Sequence, residues 1–361
     1  MDPTFVIAGR LRRDYLLPPI GRPLIDVPGG DLLYAAAGLG VWPLAPSRNR
    51  DYPAPSRNRD YPEGAGNASD GRVGLLARAG EDYPHDWLRS FEERGWDTRG
   101  IQLLADVLDL RFFQATLPDQ TIQSSNPVAH FARLGLPFPK SLLGYQSPVD
   151  RDNDRKAVHP ASPRPTGIPA DYLYAHAVHL CPLDYLTVNR LSSAFREASV
   201  GTLTLDPSAA YMNVAALEDM RVLLHGLTTF LPAEEELRAL FWGRTDDLWQ
   251  MAEALGEFGC EFIVVKRGAR GQMLYDSVSK KRWEIPAYPA RLADLSGAGD
   301  SFCGGFLAGY QQTYDPLRAV LHGSVSASLT IEGSGAFHAL EAMPGLARRR
   351  LDSLVGIVRQ V

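Results

Sequence analysis

The sequence predicts an α/β protein with a central, mostly parallel sheet sandwiched by helices. Two observations carry this reading. Short apolar runs of strand length alternate with helix-length segments through most of the 361 residues. Runs such as Phe5–Ala8 and Phe262–Val265 are apolar throughout, as strands covered on both faces are. A composition of 45% apolar and 22% charged residues supports a packed core and excludes a disordered, collagenous or disulfide-framed chain. A single domain over residues 1–361 is the expected organisation.

Taken in order, Phe5–Ala8 reads as a strand closed by Gly9, Leu32–Leu39 as a helix and Val73–Ala77 as a strand. Trp87, Leu88 and Phe91 fall at helical spacing within Asp86–Arg94. Tyr172–Leu180 reads as a strand with a following helix, and Thr202–Leu205 as a strand leading into Asp206-Pro207. Ala215–Leu224 reads as a helix, and Phe262–Val265 as a buried strand ending in the turn Lys266–Gly271. Ser301–Gly309 and Pro316–Thr330 close the pattern as helices, the second opened by a proline where its missing N–H costs nothing.

Two stretches interrupt the alternation. The nonapeptide APSRNRDYP at Ala45–Pro53 recurs letter for letter at Ala54–Pro62, too short for a repeat fold and too polar to bury a core. Residues 43–70 are therefore expected to form an exposed, mobile loop insert. A second insert, 124–169, is dense in proline and charge and reads as a long loop of the kind that serves as a lid or stays disordered.

Net charge is −5, which gives no electrostatic case for a nucleic-acid partner. No apolar run approaches the ~18 residues of a membrane span, and none near the start resembles a secretory core. Three widely spaced cysteines, Cys181, Cys260 and Cys303, fit a reducing cytoplasm and argue against zinc. The eight histidines show no metal-ligand spacing, and His176 and His179 read as local packing. The 37 basic residues include only five lysines, and none follows a glycine, so a Walker A loop is absent.

The chemistry concentrates in Asp294–Phe302, DLSGAGDSF. Small residues let backbone approach a ligand, and the first N–H groups of the following helix lack intrahelical partners, so an anion site is expected there. A carboxylate beside such a site, Asp300, calls for a reason. General-base catalysis, in which it takes the proton of a hydroxyl attacking the γ-phosphoryl of ATP, supplies one. The bland alternative makes Asp300 a helix N-cap. A dinucleotide fingerprint fails because Phe302 stands where a third glycine is required, which weighs against an NAD-dependent oxidoreductase.

Compared along its length, the chain resembles the ribokinase-like (phosphofructokinase-B type) carbohydrate kinases. Their signature is similar to DLSGAGDSF. Gly9 and Asp14, the pair Gly29-Gly30, Val73–Ile101, Asp206-Pro207, LPAEEEL at Leu231–Leu237 and VVKRGARGQMLYD at Val264–Asp276 follow in the family's order. The resemblance implies a ribokinase-like fold with a small β lid from about residues 11–27 and 104–122, and a kinase using ATP and Mg²⁺ on a sugar or nucleoside acceptor. It implies Asp300 as base, Gly297, Ala298 and Gly299 as anion hole, and Asp14, Gly29 and Gly30 around the acceptor. Lys266, Gly268 and Gly271 would lie on the nucleotide side, Glu236 would orient Mg²⁺ through water, and Asp294, with carbonyls near Gly333 and Gly335, would hold a monovalent cation such as K⁺. A homodimer through the lid is a further implication.

Each residue has a plainer reading. Asp14 could initiate a turn, Pro28-Gly29 could be a turn by itself, Glu234–Glu236 could be a solvated first turn, and Lys266 a solvent-exposed strand end. The chain also departs from the family pattern. Tyr34 and Ala233 stand where asparagines are common, and Asp31 adds a charge beside the acceptor. Those losses are what a non-catalytic sugar- or nucleotide-binding sensor would show, whereas an intact GAGD centre favours an enzyme. The acceptor is left open among ribose, fructose, a ketodeoxy acid, a nucleoside and a phosphorylated sugar.

Overall fold

The computed structural model describes residues 3–43, 72–147 and 157–361. The tandem repeat and nearly all of the first insert therefore lie outside the described residues, as do residues 148–156 of the second. The chain enters through β1 (Phe5–Ala8), β2 (Arg12–Leu17) and β3 (Leu24–Gly29) into α1 (Asp31–Gly40). After the first insert come β4 (Val73–Gly80), α2 (His85–Glu93), β5 (Trp96–Asp97), β6 (Ile101–Leu104), β7 (Arg111–Thr116) and β8 (Ile122–Gln123). The second insert carries α3 (Pro127–Arg133) and leads to β9 (Ala177–Leu180), α4 (Tyr185–Glu197), β10 (Thr202–Leu205), α5 (Leu217–Leu224) and β11 (Thr229–Phe230). The last part runs through α6 (Glu234–Leu240), α7 (Leu248–Gly256), β12 (Phe262–Lys266), β13 (Gln272–Asp276) and β14 (Arg282–Ile285). It ends with α8 (Ala298–Thr313), α9 (Pro316–Thr330), α10 (Leu346–Leu354) and β15 (Arg359–Gln360).

The main sheet has 11 strands in the order β15-β14-β13-β12-β11-β10-β9-β1-β4-β5, with β6 also on β4. Pairing is parallel from β12 through to β5 and antiparallel among β12, β13, β14 and β15. The apolar strands divide their side chains between two cores by the period of two. Phe5 and Ile7 of β1 join the core under α1, α8 and α9, while Val6 and Ala8 join the one under α4, α5 and α7. The expected three-layer α/β architecture is thus present.

A separate four-stranded sheet, β3-β2-β7-β8, stands over the carboxyl end of β1. Its two faces follow from alternation along β2. Tyr15 and Leu17, with Phe113 and Ala115 of β7, form a small core with Phe131 and Leu142 of the second insert. Arg12 and Asp14 occupy alternate positions on β2, offset by one residue from that buried set. The second insert is therefore not a featureless loop. α3 is capped by Asn126, the Tyr145 hydroxyl accepts the Phe113 N–H at 3.1 Å, and Arg111 donates to the Ser141 and Leu143 carbonyls. Its aromatic residues, diluted by proline in the sequence, find a surface to cover only in three dimensions.

Other differences are local. The strand expected from Tyr172 begins only at Ala177, because 170–174 forms a 3₁₀ turn that buries Tyr172 and lets its hydroxyl donate to the Asp97 carbonyl at 2.9 Å. Helix α8 starts at Ala298, three residues before the apolar pattern does, and runs on to Thr313.

Helices α1 and α8 approach until backbone meets backbone. A Cβ on Gly38 would lie 2.1 Å from the Ser301 carbonyl oxygen, and one on Gly304 would lie 1.8 Å from that of Ala35. Trp42 Nε1 donates to Ser326 Oγ (2.9 Å), which donates to the Gly38 carbonyl (2.8 Å), so α9 is locked to the same pair. Gly304→Ala is expected to cost about 1–3 kcal/mol in denaturant unfolding, because the helices must separate. Gly356→Ala, which meets no neighbouring atom, should cost far less.

Candidate active site

Strands β1, β9, β10 and β12 all end on one edge of the sheet, and helices α1 and α8 begin there, the place where open α/β sheets bind ligands. Gly30, at φ 104°, is the N-cap of α1, and a Cβ there would strike the Arg10 carbonyl oxygen at 2.3 Å. Asp31 opens the helix. It is buried, and its Oδ1 accepts the Arg10 N–H at 2.7 Å.

The first turn of α8 faces this from across the α1 contact. Gly297, at φ 69°, is the N-cap, so Asp300 is not; it sits within the first turn. A Cβ on Gly297 would lie 1.9 Å from the Tyr34 ring, which shows how closely that ring covers the turn. The Ala298 N–H donates to the Leu295 carbonyl (3.3 Å), whereas the Gly297 and Gly299 amides make no backbone bond among the described residues. Burial, then the Asp31 and Asp206 carboxylates, raise the Asp300 pKa to about 7. Lys266 and Arg12 pull the other way.

The small sheet supplies Asp14 and Arg12. Asp14 is 2% exposed, so it is not a turn residue at the surface, and a Cβ on Gly29 would lie 1.8 Å from its Oδ2. Burial raises its pKa to about 7, opposed by Arg12 and the Gly30 amide. Arg12 lies 4.4 Å over the Phe112 ring and reaches Asp31 Oδ2 at 3.8 Å. Gln114 of β7 donates to Ser296 Oγ, which donates to Asp294 Oδ1 at 2.7 Å, and this chain ties the small sheet to the loop before α8. Tyr34 Oη, Asp14 Oδ1 and Asp294 Oδ2 are buried with no hydrogen-bond partner among the described residues. Such an accumulation is costly unless a ligand satisfies it.

On the other side, Lys266 is not a solvent-exposed strand end. Its ammonium donates to Asp206 Oδ2 and lies 3.7 Å from Cys303 Sγ, which donates to the same carboxylate oxygen at 3.3 Å. It is also 3.4 Å from where a Gly299 Cβ would be, directly beside the first turn of α8. Burial alone would lower the Lys266 pKa, but the Asp206 carboxylate more than offsets this and holds the ammonium charged. Of Glu234–Glu236, only Glu235 is exposed. Glu234 is buried and pairs with Arg238 and Arg270 at 2.7 Å each. Glu236 Oε2 accepts the Ala233 N–H at 2.8 Å, and burial with the Asp206 charge raises its pKa to about 8.

The structure therefore gathers Asp14, Gly29, Gly30, Asp31, Tyr34, Asp294 and Gly297–Asp300 at one place, with Lys266 adjoining. Gly268 and Gly271 lie in the turn just beyond Lys266. Asp294 and Ala293 donate their N–H groups to the Ile331 carbonyl (3.2 and 2.7 Å), near Gly333 and Gly335 but bonded to neither. His179 is buried and bonded to Thr204 Oγ1 at 2.9 Å, and it joins no metal-ligand group among the described residues. Sequence reasoning named Lys266 and Asp206 but missed Arg12, Gln114 and the contacts that join Asp206, Lys266 and Cys303. Only the i, i+3 spacing of Asp300 and Cys303 could have hinted at one of them.

The raised Asp14 pKa has a consequence for stability. Its contribution is full below the ordinary 3.8 and is lost as pH rises through about 7, where a charge must be buried. Asp14→Asn, which removes that charge, should raise Tm by roughly 2–4 °C near pH 8 and bring no gain near pH 4, as thermal melts across that window would show.

A family model described as pfkB family carbohydrate kinase matches residues 153–343. Over 307 residues the chain is 25% identical to the cytidine kinase of Thermococcus kodakarensis, covering 85% of this chain and 88% of that one. Over 74 residues it is 36% identical to the nucleoside kinase of Methanocaldococcus jannaschii, covering 20% and 24%. A chain from E. coli named ribokinase II, solved with ATP and Mg²⁺, aligns with TM-score 0.66 and 15% identity over 99% of both chains. Burkholderia thailandensis nucleoside kinase with inosine aligns with TM-score 0.65 and 15% identity over 98% of this chain and 99% of that one. At such identities the solved structures show a shared ribokinase-like fold. With the family model spanning more than half of its length, the chain belongs to the pfkB family of carbohydrate kinases, which use ATP.

Proposed function

We propose that the protein moves the γ-phosphoryl group of ATP to a hydroxyl of a sugar or nucleoside, with Asp300 as general base. One observation carries the reading: a carboxylate whose pKa is raised to about 7 stands in the first turn of α8, beside the amides of Gly297 and Gly299. A base poised near the working pH is half ionised and still basic enough to accept a proton. Amides at a helix start stabilise the charge that spreads over the phosphoryl oxygens in flight. Ala298 belongs to the same turn, though its own N–H is engaged by Leu295.

Asp14 would hold acceptor hydroxyls, with Gly29 and Gly30 leaving room for the ring and Tyr34 and Asp31 bounding it. Lys266 would meet the triphosphate from the nucleotide side, where Gly268 and Gly271 shape the turn. The donor set fits a Mg²⁺ carried by the nucleotide: among the described residues no group of three His, Cys, Asp or Glu side chains could hold a metal. Glu236, whose Oε1 lies outside its capping bond, would reach such an ion through water. When bound, the ion neutralises charge on the β- and γ-phosphates. The unpartnered Asp294 Oδ2 supports a monovalent cation such as K⁺ beside the loop before α8.

The small sheet over this edge would act as the lid, excluding water that would otherwise hydrolyse ATP. A homodimer through this lid would form beside residues 127–145, which already cover one of its faces. No helix among the described residues is long and apolar enough to cross a membrane, and the three cysteines are free and buried, which supports work in a reducing cytoplasm.

Asp300→Asn should fold, bind ATP with little change and lose turnover by at least ~10²-fold, measured by coupled ADP release on a sugar and nucleoside panel. Near-full turnover would remove Asp300 from the role. Because Asp300 must be ionised to accept a proton, kcat should fall about tenfold per pH unit below a midpoint near 7. That limb should persist in Asp14→Asn, measured at saturating acceptor.

A further inference from the structure

A cavity of about 300 Å³ opens beside the acceptor residues. Its wall is shared with them through Arg10: the carbonyl of Arg10 abuts Gly30 and its N–H is held by Asp31, while its side chain lines the cavity. Leu108 and Asp109, from the connection between β6 and β7, form another part, and residues 157–160 of the second insert a third. Ser208 and Ala210, just after β10, complete it. A cavity of this size adjoining a ring-binding site is room for a second moiety of the acceptor, beyond what a free monosaccharide needs.

The lining says what that moiety is. Leu108, Val158, Pro160 and Ala210 offer apolar surface. The two carboxylates are already engaged. Asp109 takes both Nε and Nη2 of Arg111 (2.7 and 3.0 Å). Asp184 caps α4 through the Thr187 N–H and holds the His159 N–H at 3.3 Å. Against them stands one guanidinium, Arg10, which donates to the Pro182 carbonyl at 3.3 Å. With Asp109 matched by Arg111, Asp184 balances Arg10, and His159 accepts the Ala161 N–H at Nδ1, so an anionic group, as on a sugar acid or a sugar phosphate, would find no surplus cation. Ser208 Oγ accepts the Ala210 N–H at 3.3 Å, and its hydroxyl proton remains to be given to a ligand acceptor atom. Apolar walls, a hydroxyl donor and no net positive charge suit a neutral heterocycle.

We propose that the acceptor is a nucleoside whose neutral base occupies this cavity, and that residues 157–160, brought in by the second insert, are specificity-determining. The inference rests on the kinase reading above and narrows its acceptor. The full chain, with ATP and Mg²⁺, is assayed on cytidine, uridine, adenosine and inosine beside ribose, fructose, a ketodeoxy sugar acid and a sugar phosphate. At least one nucleoside should exceed every base-free acceptor by about 100-fold or more in kcat/KM. Ala157→Trp, at an exposed residue, should raise the KM of that nucleoside by about 10-fold with kcat within about twofold and an unshifted Tm. Ser208→Ala should raise it less.

Preference for a base-free sugar, acid or phosphate would overturn the inference and leave the kinase reading standing. An unchanged KM in Ala157→Trp would also overturn it. Calorimetric titration of the nucleosides into the chain with ADP and Mg²⁺ separates the two readings. Nucleoside binding without transfer would support the cavity assignment and overturn the kinase reading, and neither binding nor transfer would overturn both.

Discussion

The arrangement depends on how closely α1 and α8 pack. Two glycines, Gly38 and Gly304, let each helix press on the other's backbone, at a separation that one methyl group would abolish. Because α1 begins at the paired glycines and α8 at Gly297, that contact sets where the two helix starts lie relative to each other. It brings Tyr34 against Gly297 and puts the Asp31 and Asp300 carboxylates within electrostatic reach. The site is thus a by-product of helix packing well behind it, and its geometry is as stiff as that packing.

Packing alone would crowd an intolerable amount of negative charge into a dry place. Asp14, Asp31, Asp206, Asp294 and Asp300 converge there, and Arg12 and Lys266 are the cations that act on them. Burial, reinforced by the neighbouring carboxylates, is why two of the acids sit near 7 rather than near their ordinary values. Apolar burial elsewhere has to offset that cost, and a site held under such tension favours whatever ligand brings hydroxyls or cations to it.

Much of this was legible in the sequence because it is local. Apolar strands, their terminal glycines and the GAGD turn each announce themselves within a few residues, and α9 runs over the residues its proline and apolar pattern mark, Pro316–Thr330. What was hidden is what depends on distant partners. Nothing near Lys266 marks it as the partner of Asp206, 60 positions away. Nothing near Arg12 says that its side chain faces three carboxylates, and a glutamine on β7 gives no sign that it ends on Ser296. The second insert misled for the same reason: Phe131, Leu142 and Tyr145 look stranded among prolines until β2 and β7 supply a surface. The start of α8 was misplaced because its first turn is made of small residues, which carry no periodic signal.

That surface has one more implication. A sheet that is hydrophobic on one side must bury that side against another element. Here the covering is stitched into the same polypeptide, through aromatic contacts and the Arg111 and Tyr145 hydrogen bonds. The small sheet that roofs this edge is therefore covered on one face by its own chain. The segment that shelters the roof from behind is also the one that continues, through residues 157–160, to the rim of the cavity in front.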